Sequence, residues 1–430
     1  MNRKKFLVNT SKAVVATIGG ASLGFTNSNK TTDVKAAIPL PIQVVIDDVG
    51  WWNGKDGSAN NEPYRTGIKR NHVVADYQSI VDLGKALNIR PQAVMILSEW
   101  DRKNILKDVP HSTYMGKNWN NKWVGTWLDE AAEIINQNKE HLEITLHGLG
   151  HEWWDGDKFT RAEWAELETG IMRNEDDVER HLDAFYEIMK QNNLGAMPTS
   201  FVPTAFAHGF GVTKGNKKSM AQILKDRGFT YINTVFSTSK KEIMGNLDKV
   251  QYGDFGVDDG VLTVNRGRDI IPIYNAINTE SKPLLRNNMN AKVNIATSGM
   301  HWPNMLHENP EKNPEVVVDW VKFLSAYNEK LETMLARNSV EFQKQLVHEK
   351  LTAIEVIKDE IRLDFSKTKD VGTILANDEL TIKLSSNKKL KFSSKTVKSL
   401  SISSQKVDEL ILYKLKLKLE NNKNAVIKFS

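Results

Sequence analysis

The chain has 430 residues, is 40% hydrophobic and 26% charged, and carries a formal net charge of +5. That balance fits a globular protein with one large barrel and attachments, or with two to three average domains. There is no cysteine, so disulfides, thiolate zinc sites and cysteine nucleophiles are excluded. The last 80 residues hold 16 Lys and Arg against 10 Asp and Glu; the positive excess sits in the tail, and the main body lacks the basic footprint that nucleic acid would require.

The N-terminus is basic, Asn2-Arg3-Lys4-Lys5-Phe6-Leu7, and an apolar run of small residues follows from Ala13 to Phe25. The run is too short and too rich in Gly and Ser to span a bilayer. Residues 1–36 therefore read as an export signal, close to the twin-arginine type but with Lys in place of the second Arg. Val34-Lys35-Ala36 is the nearest cleavage pattern. The mature chain is expected to begin near residue 37, in the periplasm or outside a bacterial cell.

From residue 40 to about 340, short apolar strands alternate with helical patterns. Strands are predicted at 42–47, 92–97, 142–147, 199–203, 230–235, 269–273 and 292–298, and helices near 72–88, 123–138, 175–193, 216–228 and 312–337. In the first helix Val73, Val74, Tyr77, Ile80, Val81, Leu83 and Leu87 form a stripe at helical spacing. Seven strands alternating with helices predict a parallel sheet closed into a barrel over 37–340. An open doubly wound sheet is the rival, but no G-x-G-x-x-G follows the first strand. Residues 99–122 and 152–175 are long Trp-rich loops, and 236–268 read as a small hairpin excursion. Residues 341–359 read as a helical connector. After Ile361 the pattern turns to alternation, as in Leu380-Thr381-Ile382-Lys383-Leu384 and Leu415-Lys416-Leu417-Lys418-Leu419. Residues 360–430 are expected to form a small β-sandwich with a solvated lysine face.

Three fragments carry chemistry. Val44-Val45-Ile46-Asp47-Asp48 is a buried strand ending in two acids. His147-Gly148-Leu149-Gly150-His151 leaves the third strand with two imidazoles four apart. With Asp47 or Asp48 this pair makes a two-His-one-carboxylate metal site; the bland alternative is two unrelated loop histidines. Gly299-Met300-His301-Trp302-Pro303 follows the last strand, so His301 lies on the same rim, where an imidazole can act as general acid or base.

In the order and spacing of these fragments, residues 40–335 resemble the polysaccharide deacetylase family, the nodulation-type deacetylases. The resemblance implies a distorted (β/α)7 barrel, here followed by the C-terminal all-β domain. It implies Asp47 as catalytic base, Asp48, His147 and His151 as metal ligands, and His301 as catalytic acid. It further implies a divalent ion, Zn2+ first, with Co2+, Ni2+, Mn2+ or Fe2+ compatible, and a polysaccharide or oligosaccharide substrate that loses acetyl groups. Gly148 stands where that family has Ser or Thr, and Gly299 where it has Leu. Ser200-Phe201-Val202-Pro203-Thr204 lacks the Arg that normally orients the base, and Asp269 opens its strand instead of ending it.

Trp51, Trp52, Trp153, Trp154 and Trp302 flank the three fragments, and stacking on sugar faces is weighed against plain packing. Glu99 and Asp101, with Glu152 and Asp155, lie on the same rim as sugar-hydroxyl ligands or as solvated loop charge. Two other functions stay open: a glycoside hydrolase using paired carboxylates on the same barrel, and a glycan-binding protein with a degenerate site.

Overall fold

The computed structural model describes residues 33–52, 70–195, 197–213, 215–236, 255–266, 297–368, 371, 379–420 and 424–430. In chain order the elements are β1 (Lys35–Ala37), β2 (Leu40–Val49), α1 (Val74–Leu87), β3 (Gln92–Ile96), α2 (Trp127–Gln137), β4 (Glu143–Gly148), β5 (Trp153–Asp155), β6 (Lys158–Thr160), α3 (Glu175–Gln191) and β7 (Ser200–Phe201). Then come α4 (Met220–Asp226), β8 (Tyr231–Thr234), β9 (Phe255–Asp258), β10 (Val261–Asn265), β11 (Thr297–His301), α5 (Asn313–Ser325), β12 (Thr333–Leu335) and α6 (Ser339–Leu351). The tail holds β13 (Ala353–Ile357), β14 (Glu360–Asp364), β15 (Glu379–Ser386), β16 (Phe392–Ser393), β17 (Val397–Val407), β18 (Leu410–Leu419) and β19 (Ala425–Phe429).

The main sheet runs in the order β11-β2-β3-β4-β7-β8-β10-β9, a curled half-barrel. Its first seven strands are parallel, and β9 folds back antiparallel on β10. So the predicted hairpin excursion near 236–268 supplies two strands of the main sheet, β9 and β10. The predicted strand 269–273 and residues 292–296 of the predicted strand 292–298 lie outside the described residues.

Every residue of β2 is buried. Leu40, Ile42, Val44 and Ile46 join the main core shared with the helices, whereas Val45 packs with Val94 and Val202 in a small separate cluster on the opposite face. Alternate residues thus serve two apolar layers, as the pleat requires. Each fully buried aliphatic side chain of this kind contributes about 1.5–3 kcal/mol. Below the valines the inner face turns polar. Gln92 Nε2 donates to Thr145 Oγ1 at 3.1 Å, Thr145 Oγ1 meets Ser200 Oγ at 2.8 Å, and Asn233 Nδ2 donates to Thr297 Oγ1 at 3.1 Å.

One predicted helix is corrected. The helix expected over 312–337 ends at Ser325, and residues 333–335 form β12, parallel to Leu40–Ile42 of β2. The reason is a partner 50 residues away. Lys383 of β15 donates from Nζ to the carbonyls of Asn328, Lys330 and Thr333 at 2.8, 2.8 and 2.6 Å. Carbonyls that a continuing helix would satisfy internally are taken by one ammonium.

The tail folds as two four-stranded antiparallel sheets, β1-β15-β18-β17 and β13-β14-β19-β16. They share an apolar cluster that includes Ile361, Leu363, Phe365, Leu380, Ile382, Leu415, Leu417 and Ile427. The residues read as a helical connector divide into most of α6 and strand β13. β1 pairs Lys35–Ala37 with Ser385–Lys383, so the Val34-Lys35-Ala36 pattern falls on a paired strand. The lysine face is only partly solvated. Lys383 is buried, Lys414 and Lys416 are half-buried, and Lys416 Nζ lies 3.2 Å from Glu341 on α6. Gln345 of α6 bonds Thr381 through both its amide atoms. β17, eleven residues long and largely exposed, forms an open edge among the described residues.

Candidate metal centre

Parallel strands pairing in register bring the three sequence fragments to one rim. β11 pairs with β2 so that His301 lies beside Asp47. β2 and β4 flank β3. Adjacent strand residues point to opposite faces, so both acids can serve one site only if the strand breaks its pleat. It does: the register with β3 shifts between Ile46 and Val49, and Asp48 takes a left-handed φ of 63°. The β3–β4 register slips at the same height, between Met95 and Ile96, and carries past His147 to Gly148. His151 is also left-handed, at φ 53°.

The ligand atoms of Asp48, His147 and His151 lie within 4.8 Å of one another, and all three residues are buried. His147 Nε2 is 3.2 Å and His151 Nε2 3.8 Å from Asp48 Oδ1, and His301 Nε2 is 3.8 Å from Oδ2. Yet among the described residues no donor meets either Asp48 oxygen in hydrogen-bonding geometry. His147 Nδ1 lies 2.6 Å from the Val202 carbonyl. A carbonyl only accepts, so Nδ1 carries the proton, and in the neutral ring the Nε2 lone pair faces the Asp48 carboxylate. Two acceptors in contact need a cation or a proton between them. The residues present therefore fit a divalent ion of the kind bound by nitrogen and oxygen donors.

The electrostatics favour the charged form on both sides of this contact. Burial pushes the Asp48 carboxyl up, but the attraction of His151, the contact with His147 and the nearby His301 outweigh it and hold it well below the usual carboxylate range. Burial lowers His147, but the contact with Asp48 prevails and raises it.

Asp47 is held by a residue outside the three fragments. Arg266, just past the end of β10, donates from Nη1 to Oδ1 at 3.1 Å and from Nη2 to Oδ2 at 2.9 Å, with both side chains buried. This is the bidentate clamp that the Ser200–Thr204 segment lacks. The glycine departures follow from such contacts. A Cβ on Gly299 would meet Arg266 Nη2 at 2.1 Å, and one on Gly148 would meet Glu163 Oε2 at 2.1 Å. Glu163 is committed there: both its oxygens accept from Leu149 N at 3.0 Å, and Oε1 lies 2.9 Å from His181 Nδ1. Trp164 Nε1 donates to the His147 carbonyl at 2.6 Å. The available signal for Arg266 was a β-rich run, Val261-Leu262-Thr263-Val264-Asn265, ending in a charge, as at Asp47.

The other candidates divide. Trp302 is fully buried and stacks on His72 at 4.0 Å. Trp51 is buried. Trp153 is buried between His111 at 4.2 Å and the Arg173 guanidinium at 4.5 Å. Trp52 is half-buried and stacks on Trp127 at 4.6 Å. Trp154 is half-buried beside exposed Tyr114. Glu99 is buried and accepts from Trp52 N. Asp101 is fully buried and accepts from Ile105 N, Leu106 N and Trp119 Nε1 at 3.0–3.1 Å. Both acids hold backbone and indole groups in place.

Fold and site together define a curled α/β half-barrel with a buried Asp-His-His group that could hold a metal ion at the carboxyl rim of its strands. No protein-family model matches the chain, and no curated protein matches it. Among the described residues, no helix is long and apolar enough to cross a membrane.

Proposed function

We propose that the chain is a metal-dependent hydrolase that removes acetyl groups from a polysaccharide or oligosaccharide, on a distorted barrel like that of the polysaccharide deacetylases. One observation carries the reading: the buried Asp48 carboxylate, with no hydrogen-bond donor on either oxygen among the described residues, faces the ring nitrogens of His147 and His151. Asp48, His147 and His151 would hold the ion, Zn2+ by preference for this donor set. A divalent ion there lowers the pKa of water and polarises an acyl carbonyl.

The remaining roles belong to the chain. Asp47 accepts the proton of the attacking water, and the Arg266 clamp holds its carboxylate in one orientation. Each Asp47 oxygen receives one guanidinium hydrogen and keeps a lone pair for that proton. His301 donates a proton to the departing amine or alkoxide. Its side chain is 30% exposed against 2% for Asp48 and His147, so it is the group of the cluster that a substrate reaches first. Asn304 Oδ1 accepts from His301 N at 2.9 Å and fixes its backbone. The paired-carboxylate glycosidase reading loses support, because Glu99 and Asp101 are committed to internal donors.

The test is metal analysis of the purified protein with acetate release from N- and O-acetylated oligosaccharides. We expect one divalent ion per chain and loss of turnover on chelation. Asp47→Asn and His301→Ala should each lower turnover by about 10²–10⁴ with the bound ion retained. Turnover indifferent to chelator, or unchanged in both variants, rejects the assignment.

A further inference from the structure

Three aromatic side chains stand together on the loops that follow β3 and β4, and the acid–base machinery uses none of them. Trp154 follows the ligand His151 by three residues, a chain path of no more than about 11 Å. Its ring lies 6.2 Å from that of Tyr114 and 5.1 Å from that of Phe159. Tyr114 is 44% exposed, and Trp154 and Phe159 are half-buried. Tyr114 comes from the long loop after β3. Trp154 and Phe159 face each other across the β5–β6 hairpin, in register. Both segments follow carboxyl ends of strands on the rim that carries Asp48, His147 and His301.

The central ring is pinned. Trp154 Nε1 donates to Glu152 Oε2 at 2.7 Å, Trp154 N donates to the His111 carbonyl at 3.0 Å, and His111 Nδ1 meets the Trp154 carbonyl. Glu152, directly after His151, is buried, so the same short segment sets both a metal ligand and the indole. An aromatic face fixed in advance loses little conformational freedom when a ligand covers it. Among the other aromatic residues that flank the three fragments, Trp302, Trp51 and Trp153 are buried, and half-buried Trp52 stacks on Trp127.

We propose that Tyr114, Trp154 and Phe159 form a sugar-ring subsite of the same cleft. The occupant is a pyranose of an acetylated oligosaccharide, whose apolar C–H face covers the rings while its hydroxyls stay in water. The metal centre requires only an acyl group; the platform makes the substrate an oligomer, with at least one ring held beside the unit that reacts. This rests on the reading given under the proposed function.

The experiment uses the full chain and two probes, chitohexaose carrying N-acetyl groups and xylohexaose carrying O-acetyl groups. Binding is followed by calorimetry, and turnover is compared with that of 4-nitrophenyl acetate, which is too small to span the subsite. Tyr114→Ala and Trp154→Ala should each weaken the better oligomer by about tenfold. The bound divalent ion and the turnover of 4-nitrophenyl acetate should be unchanged. Trp154→Phe should recover part of the affinity. The proposal is overturned if the wild-type chain binds neither oligomer, or if Tyr114→Ala and Trp154→Ala bind like wild type. Oligomer binding that depends on the three rings, without acetate release, would uphold the subsite and reject the hydrolase reading.

Discussion

At the scale of single residues, the centre is organised by what the glycines leave room for. Arg266 reaches Asp47 only because residue 299 has no side chain, since a Cβ there would lie 2.1 Å from Nη2. Removing one partner of a buried ion pair strands the other, at a cost of about 3–5 kcal/mol. Arg266→Ala should therefore lower stability by that order, read by urea unfolding, and lower acyl hydrolysis without displacing the ion. Adding Asp47→Asn should recover much of the stability, and strictly additive losses would reject the coupling. Gly299→Leu, which restores the residue usual in the deacetylases, should damage Asp47 positioning as Arg266→Ala does. The cluster of Asp48, His147, His151 and His301 was legible in the sequence because each residue lies at or just past the carboxyl end of a strand, and parallel pairing sets such ends side by side. Arg266 was not, because its partner lies 219 positions away and only the curl of the sheet joins them. The tryptophans were legible as a group on one rim, but whether an indole faces core or solvent depends on neighbours such as His72 and Trp127.

Among the elements, β2 is the member on which the others depend. One of its edges is shared, with β12 along Leu40–Ile42 and β11 along Gln43–Asp47, while β3 takes the other. Strands and helices with strong periodicity fell close to their predicted places: α1 was expected at 72–88 and runs 74–87, and α3 was expected at 175–193 and runs 175–191. β12 was hidden, because the sequence after Ser325 keeps a helical pattern and its competing partner, Lys383, sits in another sheet. β17 was missed as well, since Ser401-Ile402-Ser403-Ser404-Gln405 has too few apolar residues to mark a face. Lys383→Met keeps the length of the side chain but leaves three carbonyls without their donor. Each such group costs about 1–3 kcal/mol. Chemical denaturation should show a loss of at least about 3 kcal/mol, and a loss under about 1 kcal/mol would show that water replaces the ammonium without penalty.

For the whole molecule, acidity is the weak direction. Burial pulls His208 down to about 3 and His348 down to about 4. His208 lies edge-on to Phe210 at 4.5 Å, and among the described residues neither of its ring nitrogens has a hydrogen-bond partner. An unfolded histidine titrates near 6.5. Between these values the two histidines bind more protons in the unfolded chain than in the folded one, so their contribution to stability is full above about pH 6.5 and is lost as pH drops toward 4. By pH 4 the loss is of order 3 kcal/mol for each imidazole. His208→Phe should flatten the fall in urea midpoint between pH 6.5 and 4.5, and a slope equal to wild type would remove His208 as its source. The open edge of the tail sets a different limit, on how copies of this chain meet. If two β17 strands were laid antiparallel about Ile402, each Lys398 would face the other copy's Lys406, both exposed. Like charges directly opposite oppose such pairing. The edge thus carries its own electrostatic guard against growth into fibrils or sheet-mediated dimers. Replacing Lys398 and Lys406 with Thr should let light scattering rise at concentrations where the parent chain stays clear.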